Sequence, residues 1–169
     1  VALVDAPVSG GADRARAGSL AVMVGGDRAD VEALRPLLSS VGETVTHVGP
    51  AGAGEAVKLG NQLMMFAALA GVHEAIDLAA GYGVEDRVLL DATSTGTGDS
   101  WVARNWGFFD RVAADYDATG VPVRNRPWSK DLWDIVAAAR AADLHLPLAG
   151  LMSQTLAGTV ERHATGGDA

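Results

Sequence analysis

Three residues at helical spacing could carry chemistry: Lys58, Asn61 and Gln62, in the stretch Gly52-Ala-Gly-Glu-Ala-Val-Lys58-Leu-Gly-Asn61-Gln62. They open a long apolar run, Met64 to Ala80, that reads as a helix. At i, i+3 and i+4 their side chains share one helix face. A cation beside two amides is costly to bury, and burial lowers a lysine's pKa, which suits the amine to proton transfer. A lone lysine on an apolar helix more often snorkels to solvent, and the spacing taken alone favours that reading. Composition leans towards chemistry. Of the 13 basic residues only Lys58 and Lys130 are lysines, leaving 13 − 2 = 11 arginines. Arginine does not surrender its proton in proteins, whereas lysine can.

Two further stretches are candidates. Ser9-Gly10-Gly11 follows a strand-like start, and a strand leading into such a tripeptide can turn backbone N–H groups and a hydroxyl towards an anion. An ordinary glycine-rich turn has the same composition. Lys130 and Asp131 fall in the first turn of a helix for which Ser129 is the expected cap. Gly96-Thr-Gly98 lacks both the third glycine of a dinucleotide fingerprint and the Gly-Lys-Ser/Thr of a P-loop, and reads as a loop and helix cap.

The elements that must position these groups fall into two parts. Over residues 1–48 the pattern predicts a buried strand at Val1–Val4 and a second at Ser19–Val24. A helix capped by Asp27 should then run to about Val41, kinked or displaced by Pro36. A third strand is expected at Glu43–Val48, with His47 on its exposed face. From Gly52 onwards the pattern is helical. A central helix over about 54–81 would be about 42 Å long at 1.5 Å per residue. A short helix at 84–91 follows, then one from Trp101 carrying Asn105, Trp106, Phe108 and Phe109. Asp115–Pro127 reads as a connector, and the last helices span 129–142 and 148–163.

Composition excludes several classes. A net charge of −8 argues against nucleic-acid binding, which rests on Lys and Arg neutralising phosphates. The most apolar run, Leu63 to Gly83, is interrupted by His73, Glu74 and Asp77, so no membrane span is expected. There is no signal-peptide pattern. With no cysteine, the chain has no disulfide, no thiolate nucleophile and no Cys-ligated metal. No His-x-x-x-His, Gly-x-Ser-x-Gly or acidic ligand cluster is present, so no metal is expected.

Asp5-Ala-Pro-Val-Ser-Gly-Gly11, Gly52-x-Gly-x-x-x-Lys58-x-x-Asn61 and Lys130-Asp-Leu132 occur in that order, with Met23-Val-Gly-Gly26 between the first two. Together they resemble the β-hydroxyacid dehydrogenase family, over essentially the whole chain. The resemblance implies a mainly α fold: the last strands and helix of a Rossmann-type α/β domain (1–48), then an all-helical substrate and dimerisation domain (49–169). It implies hydride transfer between NAD or NADP and a 3-hydroxy acid such as 3-hydroxyisobutyrate, with Lys58 as general acid/base. Ser9, Gly10 and Gly11 would hold the substrate carboxylate, Asn61 and Gln62 would hydrogen-bond the substrate, and Lys130 with Asp131 would approach the cofactor. A cytoplasmic homodimer or homotetramer, joined through helix 54–81, is the expected assembly.

There are departures. The family usually has a second Asn where this chain has Gln62. None of the Gly-x-Gly pairs at 52/54, 81/83 and 96/98 completes Gly-x-Gly-x-x-Gly after a strand. The chain also stops short of the family's usual end. The cofactor-binding strands, and the residue that separates NAD from NADP, are therefore expected to lie outside this chain, which alone should be inactive. Two other readings compete: a non-catalytic helical dimerisation module, and an imine reductase, although those usually carry another residue at the Lys58 position.

Overall fold

The computed structural model describes residues 3–166. It forms two compact units, Val1–Asn61 and Gln62–Ala169, and the division falls inside one helix.

The first unit is a three-stranded sheet with helices. Its elements are β1 (Val8–Ser9), α1 (Gly11–Arg16), β2 (Leu20–Gly25), α2 (Arg28–Leu38) and β3 (Gly42–Gly49). The order is β1-β2-β3. β1 runs antiparallel to β2, with Val8 opposite Val22 and Ser9 opposite Ala21. β2 and β3 are parallel, with Val22 opposite Val45 and Val24 opposite His47. Parallel neighbours need a crossover, and α2 supplies it. Val22, Val24 and Val31 are fully buried, and Val4, Ala6, Leu38 and Val45 pack against them. This is the strand–helix–strand closing edge expected of a Rossmann-type domain.

Three local expectations are corrected here. Of the strand expected at Val1–Val4, residues 1 and 2 lie outside the described residues. Leu3 is 72% exposed, and neither Leu3 nor Val4 is in a strand. The chain instead joins the sheet at Asp5, bridged antiparallel to Gly25. Pro7 has no N–H for the ladder, and its carbonyl accepts from Met23 N at 3.0 Å, which leaves β1 two residues long. Helix α2 starts after Asp27, keeps Pro36 inside it, and ends at Leu38 and not Val41: Ser39 N still reaches Arg35 O, but Ser40 and Val41 turn back only three residues, to Leu37 O and Leu38 O. His47 is half-buried: its Nε2 lies 2.8 Å from Gly26 O and 2.9 Å from Gly49 O, tying the end of β3 to the turn after β2.

Helix α3 (Ala53–Ala80) has 28 residues and passes through the division between the units. Contrary to the expectation that no run is long and apolar enough, it could cross a membrane by length and composition alone, with a mean hydropathy of 1.5 over its most apolar window, 22% of which is buried. Phe66, Leu69, His73 and Ile76 are buried, whereas Val57, Met64 and Leu78 are exposed.

The second unit adds α4 (Asp86–Thr93), α5 (Trp101–Arg104), α6 (Phe108–Ala118), a 3-10 turn at Val123–Asn125, α7 (Pro127–Ala141) and α8 (Pro147–Ala164). Its core contains Val102, Phe109, Ala113, Trp128, Leu132, Ile135, Met152, Leu156 and Val160. The helix expected from Trp101 through Phe109 is broken in two. Asn105 (φ −117°) closes the first piece after Arg104, and Gly107, in a left-handed conformation (φ 81°), leads into the second. The expected connector from Asp115 is helical as far as Ala118, where Thr119 and a left-handed Gly120 close α6. Ser129 is not a cap. Pro127 occupies the first position of α7, which its fixed φ and missing N–H suit, and Ser129 is buried inside the first turn.

Candidate active site

In the first unit, the segment Asp5–Gly11 lies along β2 and delivers Ser9, half-buried, at the end of β1. Gly10 (φ 139°) and Gly11 (φ 69°) then turn the chain into α1, in conformations that side chains disfavour. Asn61 Nδ2 donates to Ser9 Oγ at 3.5 Å, a long contact that brings the second motif's amide to the first motif's hydroxyl. Lys58 is half-buried one turn earlier on α3. Gly10 and Gly11 are exposed.

What seats the start of α3 is Asp5, which sequence reasoning left out of the site. Asp5 Oδ1 accepts from Gly52 N at 2.6 Å and Oδ2 from Glu55 N at 2.9 Å. These are among the N–H groups that a helix start cannot satisfy internally. Burial pushes the Asp5 carboxyl up, but the backbone N–H donors, with Gly52 and Glu55 foremost, outweigh it and hold the group below the usual carboxylate value. Gly54 fits beneath it: a Cβ there would lie 2.5 Å from Asp5 Oδ2 and 2.6 Å from Met23 O. The motif glycine therefore serves close packing against β2.

The same geometry tests a phosphate site. Gly52-x-Gly54 follows β3 and opens α3, the strand–turn–helix setting in which dinucleotide phosphates bind. Here the third glycine position is Val57, and a carboxylate already occupies the N–H groups a phosphate would need. These residues do not fit a dinucleotide's phosphates.

In the second unit, the other candidates form a linked set. Gln62, buried, donates from Nε2 to Asp131 Oδ2 at 2.7 Å. Asp131 Oδ1 lies 2.9 Å from Lys130 Nζ, which also meets Asp134 Oδ2 at 2.9 Å. Hydrogen bonding to Asp131 and then Asp134 raises the Lys130 pKa against a smaller opposing effect of burial. Lys130 is thus a standing cation and not a proton carrier. Asp134 was also missed, although its i, i+4 spacing from Lys130 was readable. Among the described residues no group of three or more His, Cys, Asp or Glu is placed to hold a metal.

A ring cluster in the second unit has no counterpart in the sequence reading. His73 meets Trp106 and His163 edge-on at 4.9 and 5.0 Å, and Trp106 meets His163 at 4.9 Å. His163 Nδ1 lies 2.8 Å from Asp110 Oδ1. Burial lowers the His73 pKa, neighbouring His163 and Arg162 push the same way, and Asp110 and Asp77 oppose. The folded state therefore binds the His73 proton less readily than the unfolded chain, whose histidine titrates at ~6.5. Stability should fall as pH drops through that value towards the folded pKa. Urea midpoints from neutral to mildly acidic pH test this: His73→Phe should flatten the slope, and an unchanged slope would refute the assignment.

Residues 1–49 match the family model of the NAD binding domain of 6-phosphogluconate dehydrogenase. Residues 52–169 match that of the NAD-binding domain of NADP-dependent 3-hydroxyisobutyrate dehydrogenase. The chain belongs to the β-hydroxyacid dehydrogenase family, whose cofactor is NAD or NADP. It is 35% identical to the NAD-dependent L-serine dehydrogenase of Pseudomonas aeruginosa, over 89% of this chain and 52% of that protein. To the 3-hydroxyisobutyrate dehydrogenase of the same organism it is 34% identical, over 88% and 51%. The structure resembles that of Mycobacterium tuberculosis 3-hydroxyisobutyrate dehydrogenase with L-serine (TM-score 0.76, 30% identity, covering 95% of this chain and 56% of that one). The chain spans about half the length of the curated relatives it matches.

Proposed function

We propose that this chain supplies the substrate-binding and proton-transfer part of an NAD(P)-dependent 3-hydroxyacid dehydrogenase. The observation that carries the reading is the meeting of Asn61 with Ser9, with Lys58 half-buried one turn away on the same helix. Lys58 takes the proton from the substrate hydroxyl during oxidation and returns it to the carbonyl during reduction. Ser9, Gly10 and Gly11 hold the substrate carboxylate, Asn61 and Gln62 bond the substrate, and Lys130 and Asp131 act at the cofactor. The nicotinamide, when bound, supplies the hydride chemistry. Its phosphates need a nucleotide-binding portion beyond the residues described here, and turnover needs it too.

The relatives named for L-serine and 3-hydroxyisobutyrate support the substrate class, since both compounds carry a carboxylate and a hydroxyl on carbon 3. The decisive assay supplies the nucleotide-binding portion and offers 3-hydroxy acids and cyclic imines with NAD and with NADP. Turnover of 3-hydroxy acids is the expected result. Reduction of imines alone, or no turnover at all, would overturn the reading.

The uncovered face of α3 supports self-association as well. Val57, Met64 and Leu78 are exposed at heptad-related positions, and Gly71 completes the row with nothing within 4 Å of an added Cβ. A second copy packed along this row would bury it. Sedimentation should show a dimer that Met64→Glu dissociates; a monomer at all concentrations would refute this.

A further inference from the structure

We infer that Asp5 is a positioning residue for Lys58: its carboxylate locks the first turn of α3 to the end of β2 and so sets where the helix presents Lys58 and Asn61 to Ser9. The inference rests on the proposed role of Lys58.

Asp5 is held from both sides. Its peptide exchanges two hydrogen bonds with Gly25, Asp5 N to Gly25 O at 3.0 Å and Gly25 N to Asp5 O at 2.9 Å. Its carboxylate takes the N–H groups of Gly52 and Glu55, and Lys58 lies three residues beyond Glu55. The space around it is closed by two glycines. A Cβ on Gly25 would lie 2.7 Å from Pro50 O and 2.8 Å from Gly54 N, and one on Gly54 would strike Asp5 Oδ2 and Met23 O. A helix start with that little clearance has a single seat. The anion also faces the positive end of a 28-residue helix, where negative charge is stabilised. Asparagine cannot replace it: one oxygen can accept, but the NH2 group would face a backbone N–H. The same segment that carries the carboxylate continues through Pro7, hydrogen-bonded to Met23, to Ser9. Asp5 is thus the link that sets the register between the hydroxyl of the first motif and the lysine of the second.

The two lysines allow a direct test in the chain itself. Lysine labelled with 15N yields two side-chain ammonium signals, assigned by Lys58→Met. In the wild-type chain, the Lys58 signal should follow the titration of the Asp5 carboxyl with the same midpoint, while Lys130 follows its own partners. In Asp5→Asn the Lys58 signal should move. With the nucleotide-binding portion supplied, kcat should fall at least about tenfold at an unchanged cofactor KM, the split expected when a transition-state group is misplaced. A Lys58 signal that ignores the Asp5 titration, or kcat within twofold of wild type in Asp5→Asn, would make Asp5 a cap for stability only. Failure of the parent reading looks different, because Lys58→Ala would then retain turnover whatever Asp5 does.

Discussion

Replacing Lys58 with alanine is expected to lower kcat by about 10²–10⁴-fold once the nucleotide-binding portion is supplied, the usual scale for loss of a general acid/base. Cofactor KM should barely move, since the reading gives Lys58 no cofactor contact. Lys58→Arg should not recover the loss, because a guanidinium keeps its proton at any working pH. That comparison separates proton transfer from simple charge: if arginine restores turnover, Lys58 is only an electrostatic anchor. Far-ultraviolet circular dichroism of the variants should match wild type, as Lys58 is half-buried and lies outside the core built on Val22, Val24 and Val31.

Arg126→Met is expected to destabilise the second unit by about 3 kcal/mol, the lower end of the range for removing one partner of a buried ion pair. Arg126 is 3% exposed. Its Nη1 donates to Glu161 Oε2 at 2.6 Å, Nη2 to Asp117 Oδ1 at 2.5 Å and Nε to Val121 O at 3.0 Å. Burial opposes its charge, but Asp117 and Glu161 outweigh that and raise its pKa further. Without it Glu161 keeps the Trp128 indole, 2.8 Å away, yet stays 20% exposed and loses its cation. Asp117 is 57% exposed and rehydrates readily, which places the cost at the lower end. Urea unfolding at unchanged m measures the loss through the midpoint. Arg126→Lys should recover only part, since one ammonium cannot reproduce three diverging donors. A change below about 1 kcal/mol would mean that the buried network adds little.

The site was legible in part because its residues sit in short local patterns. Lys58, Asn61 and Gln62 share a helix face by spacing alone, whereas Lys130 and Asp131, expected in a first turn, are the fourth and fifth residues of α7 because it starts at Pro127. The β2–α2–β3 order and the long α3 follow from periodicity and from the glycines that end each element. Errors arose where a single backbone residue overrode periodicity. Asn105 and the left-handed Gly107 split an apolar run into α5 and α6, and Pro127 took the helix start assigned to Ser129. Each was visible as a residue type, but the balance between local signal and apolar pattern was not.

Long-range pairings were beyond such reading. Asp5 and Glu55 are 50 residues apart, Gln62 and Asp131 69, Asp110 and His163 53. Nothing local marks Asp5 as a helix cap or His73 as a member of a ring cluster. The amino-acid sequence by itself determined which groups are available: one half-apolar helix bearing a lysine and two amides, a Ser-Gly-Gly turn, and a second lysine flanked by acids. Tertiary structure alone decided what those groups do to one another. It turned Gln62 to Asp131, made Lys130 a standing cation, and seated the Asp5 carboxylate on the N–H groups at the start of α3. The physical reason is that hydrogen bonding and burial depend on distances in space, which a periodic pattern sets only within one element.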